Sequence, residues 1–121
     1  MLLNDFFKIL DIQNGEKYTV QIELNPKHNI YSGHFPGNPI TPGVCLVQMV
    51  KETLEHITQK ELNLIKGDNL KFMAILNPEV DPIVSISLAI KTKEDGLLHA
   101  ESVIFLNETK FFTFKGGFKE V

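Results

Sequence analysis

The sequence contains a single cysteine, Cys45, so no internal disulfide can form and no oxidising compartment is required; a reducing cytoplasm fits it best. A surplus of positive charge is also missing. The formal net charge is −3 and the pI is near 5.8, which argues against a general nucleic-acid binder and obliges any acidic partner to meet a local basic patch. No apolar run approaches the ~18 residues that would span a bilayer. The stretch Met1–Lys8 lacks a basic leader ahead of an apolar run, because Asp5 and Lys8 interrupt it, so the chain reads as soluble and cytoplasmic with no membrane span. Internal repeats, heptads and low-complexity tracts are absent as well.

What is present describes an ordered globular chain. Its 121 residues are 43% hydrophobic and 22% charged, and a chain of this size buries about two thirds of its unfolded surface in one core, which predicts a single domain over 1–121. From Lys17 to Leu24 the apolar residues Tyr18, Val20, Ile22 and Leu24 alternate with polar ones, the period of a half-buried strand. Asn25-Pro26 ends it, and a loop rich in proline and glycine runs to Thr41-Pro42, an N-cap residue followed by one suited to the first helical position.

A helix is expected from about Gly43 to Gln59, with Leu46, Val47, Val50, Leu54 and Ile57 forming its apolar stripe. Val44 and Cys45 add apolar surface around the first turn, which predicts that the helix N-terminus is its interior end. Four strands should follow, over 69–76, 83–92, 97–106 and 109–118, with Asp95-Gly96 as a tight hairpin turn. Read as an antiparallel meander around one helix, they give an α+β layer structure whose other sheet face is uncovered. Self-association would shield that face and the sheet edges, so a homodimer or higher oligomer is expected, with a sibling subunit serving equally well.

The chemically informative stretch is His34–Val44. Three prolines and two glycines hold His34 nearly rigid just ahead of the helix. A lone loop histidine ordinarily satisfies a backbone carbonyl. Here the amides of Gly43 and Val44 belong to a first helical turn, lack intrahelical acceptors and lie at the positive end of the helix dipole, so they suit a carbonyl oxygen. A thioester between them and His34 would have its carbonyl polarised while His34 removes a proton from the adjacent carbon. Equally, Gly43 fits a role in tight helix packing.

The run His34-Phe35-Pro36-Gly37-Asn38-Pro39-Ile40, followed by Pro42-Gly43-Val44, resembles the signature of the bacterial 3-hydroxyacyl-(acyl carrier protein) dehydratases. The likeness is specific over 31–50 and weaker over most of the chain. It implies a hotdog fold, an antiparallel sheet wrapped around one long central helix, and an acyl carrier protein bearing a 3-hydroxyacyl thioester as partner, with no cofactor. His34 would then be the catalytic histidine, Gly43 the glycine whose amide holds the thioester carbonyl, and Phe35 and Val44 further substrate contacts. Fourteen residues after the histidine the family carries a glutamate or aspartate that protonates the leaving hydroxyl across the dimer; this chain has Gln48. An amide cannot deliver that proton, a loss of roughly 10²–10⁴ in rate.

Three arrangements answer that substitution. Glu52, one turn further and close to the same face, stands where the family often has glutamine and would be a relocated acid. His34 would otherwise act alone as base and acid, with Gln48 orienting the hydroxyl. Alternatively the chain is a binding or partner subunit in a hotdog heterodimer, and a thioesterase on the same fold is a further enzymatic reading.

The remaining candidates are simpler. His28, His56 and His99 share no acidic or cysteine cluster with metal spacing, so no metal is expected. Cys45 reads as a small buried hydrophobe, and Phe111, Phe112, Phe114 and Phe118 as core with a share in an acyl tunnel. Lysines 66, 71, 91, 93, 110, 115 and 119 form either a solvated surface or a patch for an acidic carrier.

Overall fold

The computed structural model describes residues 1–121. In chain order the elements are β1 (Phe7–Asn14), β2 (Tyr18–Leu24), a single 3-10 turn at Asn29–Ser32, α1 (Gly43–Thr58), β3 (Leu62–Phe72), β4 (Ile83–Thr92), β5 (Leu98–Leu106) and β6 (Thr109–Glu120). All six strands join one antiparallel sheet in the order β1-β2-β4-β5-β6-β3. Leu46, Met49, Val50 and Leu54 of α1 share one core with Ile22, Ile86, Leu88, Ile104 and Phe112 of the sheet. Each such side chain contributes about 1.5–3 kcal/mol when fully buried, so the helix is held by its apolar face rather than by propensity. This is the α+β hotdog arrangement, a sheet wrapped around one helix.

The helix matches its expected span and ends at Gln59, whose left-handed backbone (φ 56°) directs its amide to Glu55 O. The start differs. Pro42, not Thr41, occupies the N-cap position, and no side chain caps the first turn. Thr41 is unavailable because its hydroxyl pairs with the Tyr31 hydroxyl at 2.9 Å. Nor is this the interior end within one protomer: Val44 is 76% exposed, whereas Met49, Val50, Thr53 and Leu54 are fully buried. The amphipathic period located the stripe, but in the first turn only Cys45 and Leu46 enter the core, while Val44 faces outward.

The strands require three corrections. Only β4, β5 and β6 form a meander; β3 lies beyond β6 on the opposite edge from β1, so the first strand after the helix pairs with the last strand of the chain. Second, β3 runs over Leu62–Phe72 rather than 69–76. Gly67-Asp68 does not break it but marks one of two register shifts, opposite Gly116 and Lys115. Third, β1 escaped the alternation rule because a bulge between Ile9 and Asp11 breaks its period of two. The Asp95-Gly96 hairpin is as expected, with Gly96 at φ 78° and the Asp95 carboxylate accepting from the Leu97 amide at 3.0 Å.

Candidate active site

The loop that carries His34 is closed on itself by backbone hydrogen bonds. Phe35 and Asn38 exchange amide-to-carbonyl bonds of 3.1 and 2.9 Å, and the Ile40 amide donates to His34 O at 2.8 Å. The histidine is thereby folded back beside Ile40, three residues before α1 begins. Two further ties fix this loop: Tyr31 to Thr41 through their hydroxyls, and the Thr41 amide to Leu76 O at 2.9 Å. Tyr31 is buried, and burial pushes its phenol up to about 12, with the Thr41 hydrogen bond opposing and Cys45 adding to the rise. It remains a neutral phenol that serves as a structural pin. The His34–Phe35 peptide bond is cis, and the two rings stack with centroids 4.6 Å apart.

His34 itself is half-buried, and its Nδ1 atom is fully buried with no hydrogen-bond partner in the chain. An unsatisfied buried nitrogen costs about 1–3 kcal/mol. The plainer alternative, a loop histidine that satisfies a backbone carbonyl, has no such bond at Nδ1. Close by in sequence, α1 opens without a cap, and the Gly43 and Val44 amides donate to no acceptor in the chain; the first amides of the turn to do so are those of Cys45 and Leu46, both to Pro42 O. Two free amides at a helix N-terminus form a ready site for a polarised oxygen.

Gly43 is also a packing requirement. A Cβ placed there would lie 2.8 and 2.9 Å from Cε1 and Cζ of Phe72, so that ring occupies the space a side chain would take. Phe72 in turn stacks on Phe112 at 4.9 Å, and Phe112, Phe114 and Phe118 continue a row of aromatic rings into the core. Three apolar side chains, those of Phe35, Phe72 and Val44, are open to solvent, at 50%, 56% and 76% exposed. Sequence spacing gave no sign that Phe72 meets Gly43, because the contact depends on β3 reaching the helix start.

Further along α1, Gln48 and Glu52 are brought together. Gln48 Nε2 donates to Glu52 Oε2 at 2.8 Å. The Glu52 carboxylate is 1% exposed and also accepts from the Leu2 amide, at 2.9 Å to each oxygen, and from the Leu3 amide at 2.8 Å. Expected as a relocated acid, Glu52 has both oxygens committed in this arrangement. Gln48 is half-buried and opens on a cleft of about 460 Å3 shared with Met1, Lys51 and Glu55.

The other histidines are engaged elsewhere or face solvent. His28 pairs with Asp5 at 3.0 Å and accepts from the Ile30 amide, His99 pairs with Asp95 at 2.8 Å, and His56 is exposed on α1. Cys45 is buried, which pushes its thiol up and away from nucleophilic use. Phe111, Phe112, Phe114 and Phe118 are core residues. No helix is long and apolar enough to cross a membrane.

Comparison with known proteins agrees with this fold. The ApeI-like family, described as ApeI dehydratase, matches residues 11–105. The 3-hydroxyacyl-[acyl-carrier-protein] dehydratase FabZ of Oenococcus oeni is 24% identical over 111 residues, covering 86% of this chain and 78% of that protein. With FabZ of Haemophilus influenzae strain PittEE the match is 29% over 68 residues, 56% of this chain and less than half, 46%, of that one. Among solved structures, the dehydratase heterocomplex ApeI:P from Xenorhabdus doucetiae superimposes with a TM-score of 0.65 at 19% identity, over 91% of this chain and 95% of the other. At that identity the likeness speaks for the fold.

Proposed function

Because this chain belongs to the ApeI-like dehydratase family, we propose that it eliminates water from a 3-hydroxyacyl thioester to give a trans-2-enoyl thioester, with acyl carrier protein as the handle. Fatty acid synthesis, or a related lipid or polyene pathway in a reducing cytoplasm, is the setting that suits it. Two features nine residues apart in the chain support the reading: His34, on a loop closed against Ile40 with its Nδ1 unpartnered, and the uncapped amides of Gly43 and Val44.

The carbonyl oxygen of the thioester is held by those amides, which stabilise the negative charge that develops as the C2–H bond breaks. His34 takes the C2 proton. The electron pair left behind forms the C2=C3 double bond as the C3–O bond breaks, and the departing hydroxide receives a proton to leave as water. Since Gln48 cannot supply that proton and Glu52 is committed elsewhere, the imidazolium of His34 returns it. Phe35 and Val44 provide apolar contacts beside the thioester, and the elimination needs no cofactor.

A second copy, or a second hotdog subunit, completes the assembly. β3 is an edge strand, and of its eleven residues only Leu62 is buried. Leu64, Ile65, Leu70 and Phe72 are all more than a third exposed, an unpaired apolar edge of the kind proteins cover. Pairing there would carry Gln48 of one chain toward the thioester of the other.

The test is to incubate the purified chain with a 3-hydroxyacyl carrier protein and follow the enoyl thioester. Turnover should fall by at least about 10²-fold in His34→Ala, with the circular dichroism spectrum unchanged. Absence of turnover in the native chain contradicts the proposal. Bound but unreacted substrate would then identify a partner subunit, a reading that the amide at Gln48 favours, and release of the free acid would identify a thioesterase.

A further inference from the structure

On the face of the sheet turned away from α1, a buried histidine has one ring nitrogen in use and one free. His99 alternates along β5 with the core residue Ala100, so its ring lies on the opposite face, and it is only 7% exposed. Its Nε2 meets Asp95 Oδ2 at 2.8 Å. The Asp95 carboxyl is held below its ordinary value, chiefly by the Leu97 amide, so it stays ionised and can only accept; Nε2 therefore carries the hydrogen. Nδ1 has no partner in the chain, yet it is not sealed from solvent. The ring borders a cleft of about 430 Å3 together with Lys91, Lys93, Glu101 and Lys115, and Lys91 is its cross-strand neighbour on β4. None of His34, Gly43 or Val44 lines this cleft.

We propose that the Asp95–His99 pair and the lysines at 91, 93 and 115 form a second site, which binds a phosphate group as His99 takes up a proton at Nδ1. Protonation there breaks no bond, because Nδ1 has none to lose, and it creates a donor that needs an acceptor. The surrounding charges ask for an anion. With His99 protonated, Asp95 pairs with it, Asp68 with Lys66 at 4.0 Å and Glu101 with Lys115 at 3.4 Å. Lys91 and Lys93 form no ion pair in the chain, so two positive charges remain without a counter-ion. A phosphate dianion matches that charge, and its oxygens accept from both the imidazolium and the ammonium groups. Asp95 does not oppose it, since it meets the ring on the Nε2 side and is also approached by Lys66 at 4.0 Å.

The experiment follows the imidazole resonances of His99, assigned through their proximity to Gly117, across a pH titration of the full chain. It is run in sodium chloride, in inorganic phosphate and in methyl phosphate, all at one ionic strength. The His99 midpoint should lie about one pH unit higher in phosphate than in chloride, because an anion that prefers the imidazolium about tenfold raises the midpoint by that amount. The same rise in methyl phosphate identifies a phosphate ester as the ligand, and a rise in inorganic phosphate alone identifies the free ion. Replacing both unpaired lysines, Lys91→Gln with Lys93→Gln, should weaken phosphate binding about fivefold and shrink the rise. In His99→Gln, phosphate should bind with no dependence on an imidazole proton and at least about fivefold more weakly. The exposed lysines leave the packed ring untouched, so their comparison holds whether or not His99→Gln folds. Equal midpoints in chloride and both phosphates overturn the site, as does a rise that persists undiminished in the double lysine variant.

Discussion

At the scale of single residues, Gly43 has two duties that need different chemistry. Its amide is free for a ligand, and its missing side chain makes room for Phe72. Gly43→Ala should therefore cost about 1–3 kcal/mol of stability through overpacking, and Phe72→Leu should recover most of it; denaturant unfolding of the single and double variants measures both. A loss unaffected by Phe72→Leu would place the strain elsewhere. The start of α1 at Gly43 was legible in the sequence because Pro42 suits a helix opening, whereas its cap and the exposure of Val44 were not. The contacts that complete the picture were not legible. Phe72 reaches Gly43, and Leu2 and Leu3 reach Glu52, only through the tertiary fold, and no local pattern encodes an encounter between such distant positions.

At the scale of elements, the hairpin joining β4 and β5 depends on Asp95. Its carboxyl is held below the ordinary aspartate value of 3.8 first by the Leu97 amide and then by hydrogen bonding to His99. A carboxyl depressed in the folded state contributes its stability in full above its unfolded value and loses it as pH falls through the folded value. The Leu97 amide resonance should therefore titrate with a midpoint below 3.8, and Asp95→Asn should be less stable than the native chain near neutral pH, with the difference closing as acid is added. A midpoint at or above 3.8 would remove Asp95 as the organiser of the turn. This hairpin was read correctly because Asp-Gly is a local signal. The start of β3 was misread because the Gly67-Asp68 bulge resembles a break, and β1 was missed because its bulge shifts the apolar alternation by one residue. Pairing β3 with β6 instead of β4 is a matter of where the helix delivers the chain, which alternation of residues does not record.

At the scale of the whole molecule, one helix and one sheet leave the apolar edge of β3 and the helix opening on the same side of the chemistry, with Phe72 belonging to both. In the proposed reading a neighbouring chain finishes this site, and the wrapped helix supplies its amides. The central claim is that His34 moves the proton at C2 of an acyl thioester. It is tested most directly by running the reaction backwards in D2O: a trans-2-enoyl carrier protein is supplied, and the hydrated product is analysed for label. The account predicts one deuterium at C2 of the 3-hydroxyacyl product, and at least about 10²-fold less of that labelled product with His34→Ala. Labelled product undiminished in His34→Ala, or bound enoyl substrate left unlabelled by the native chain, would contradict it.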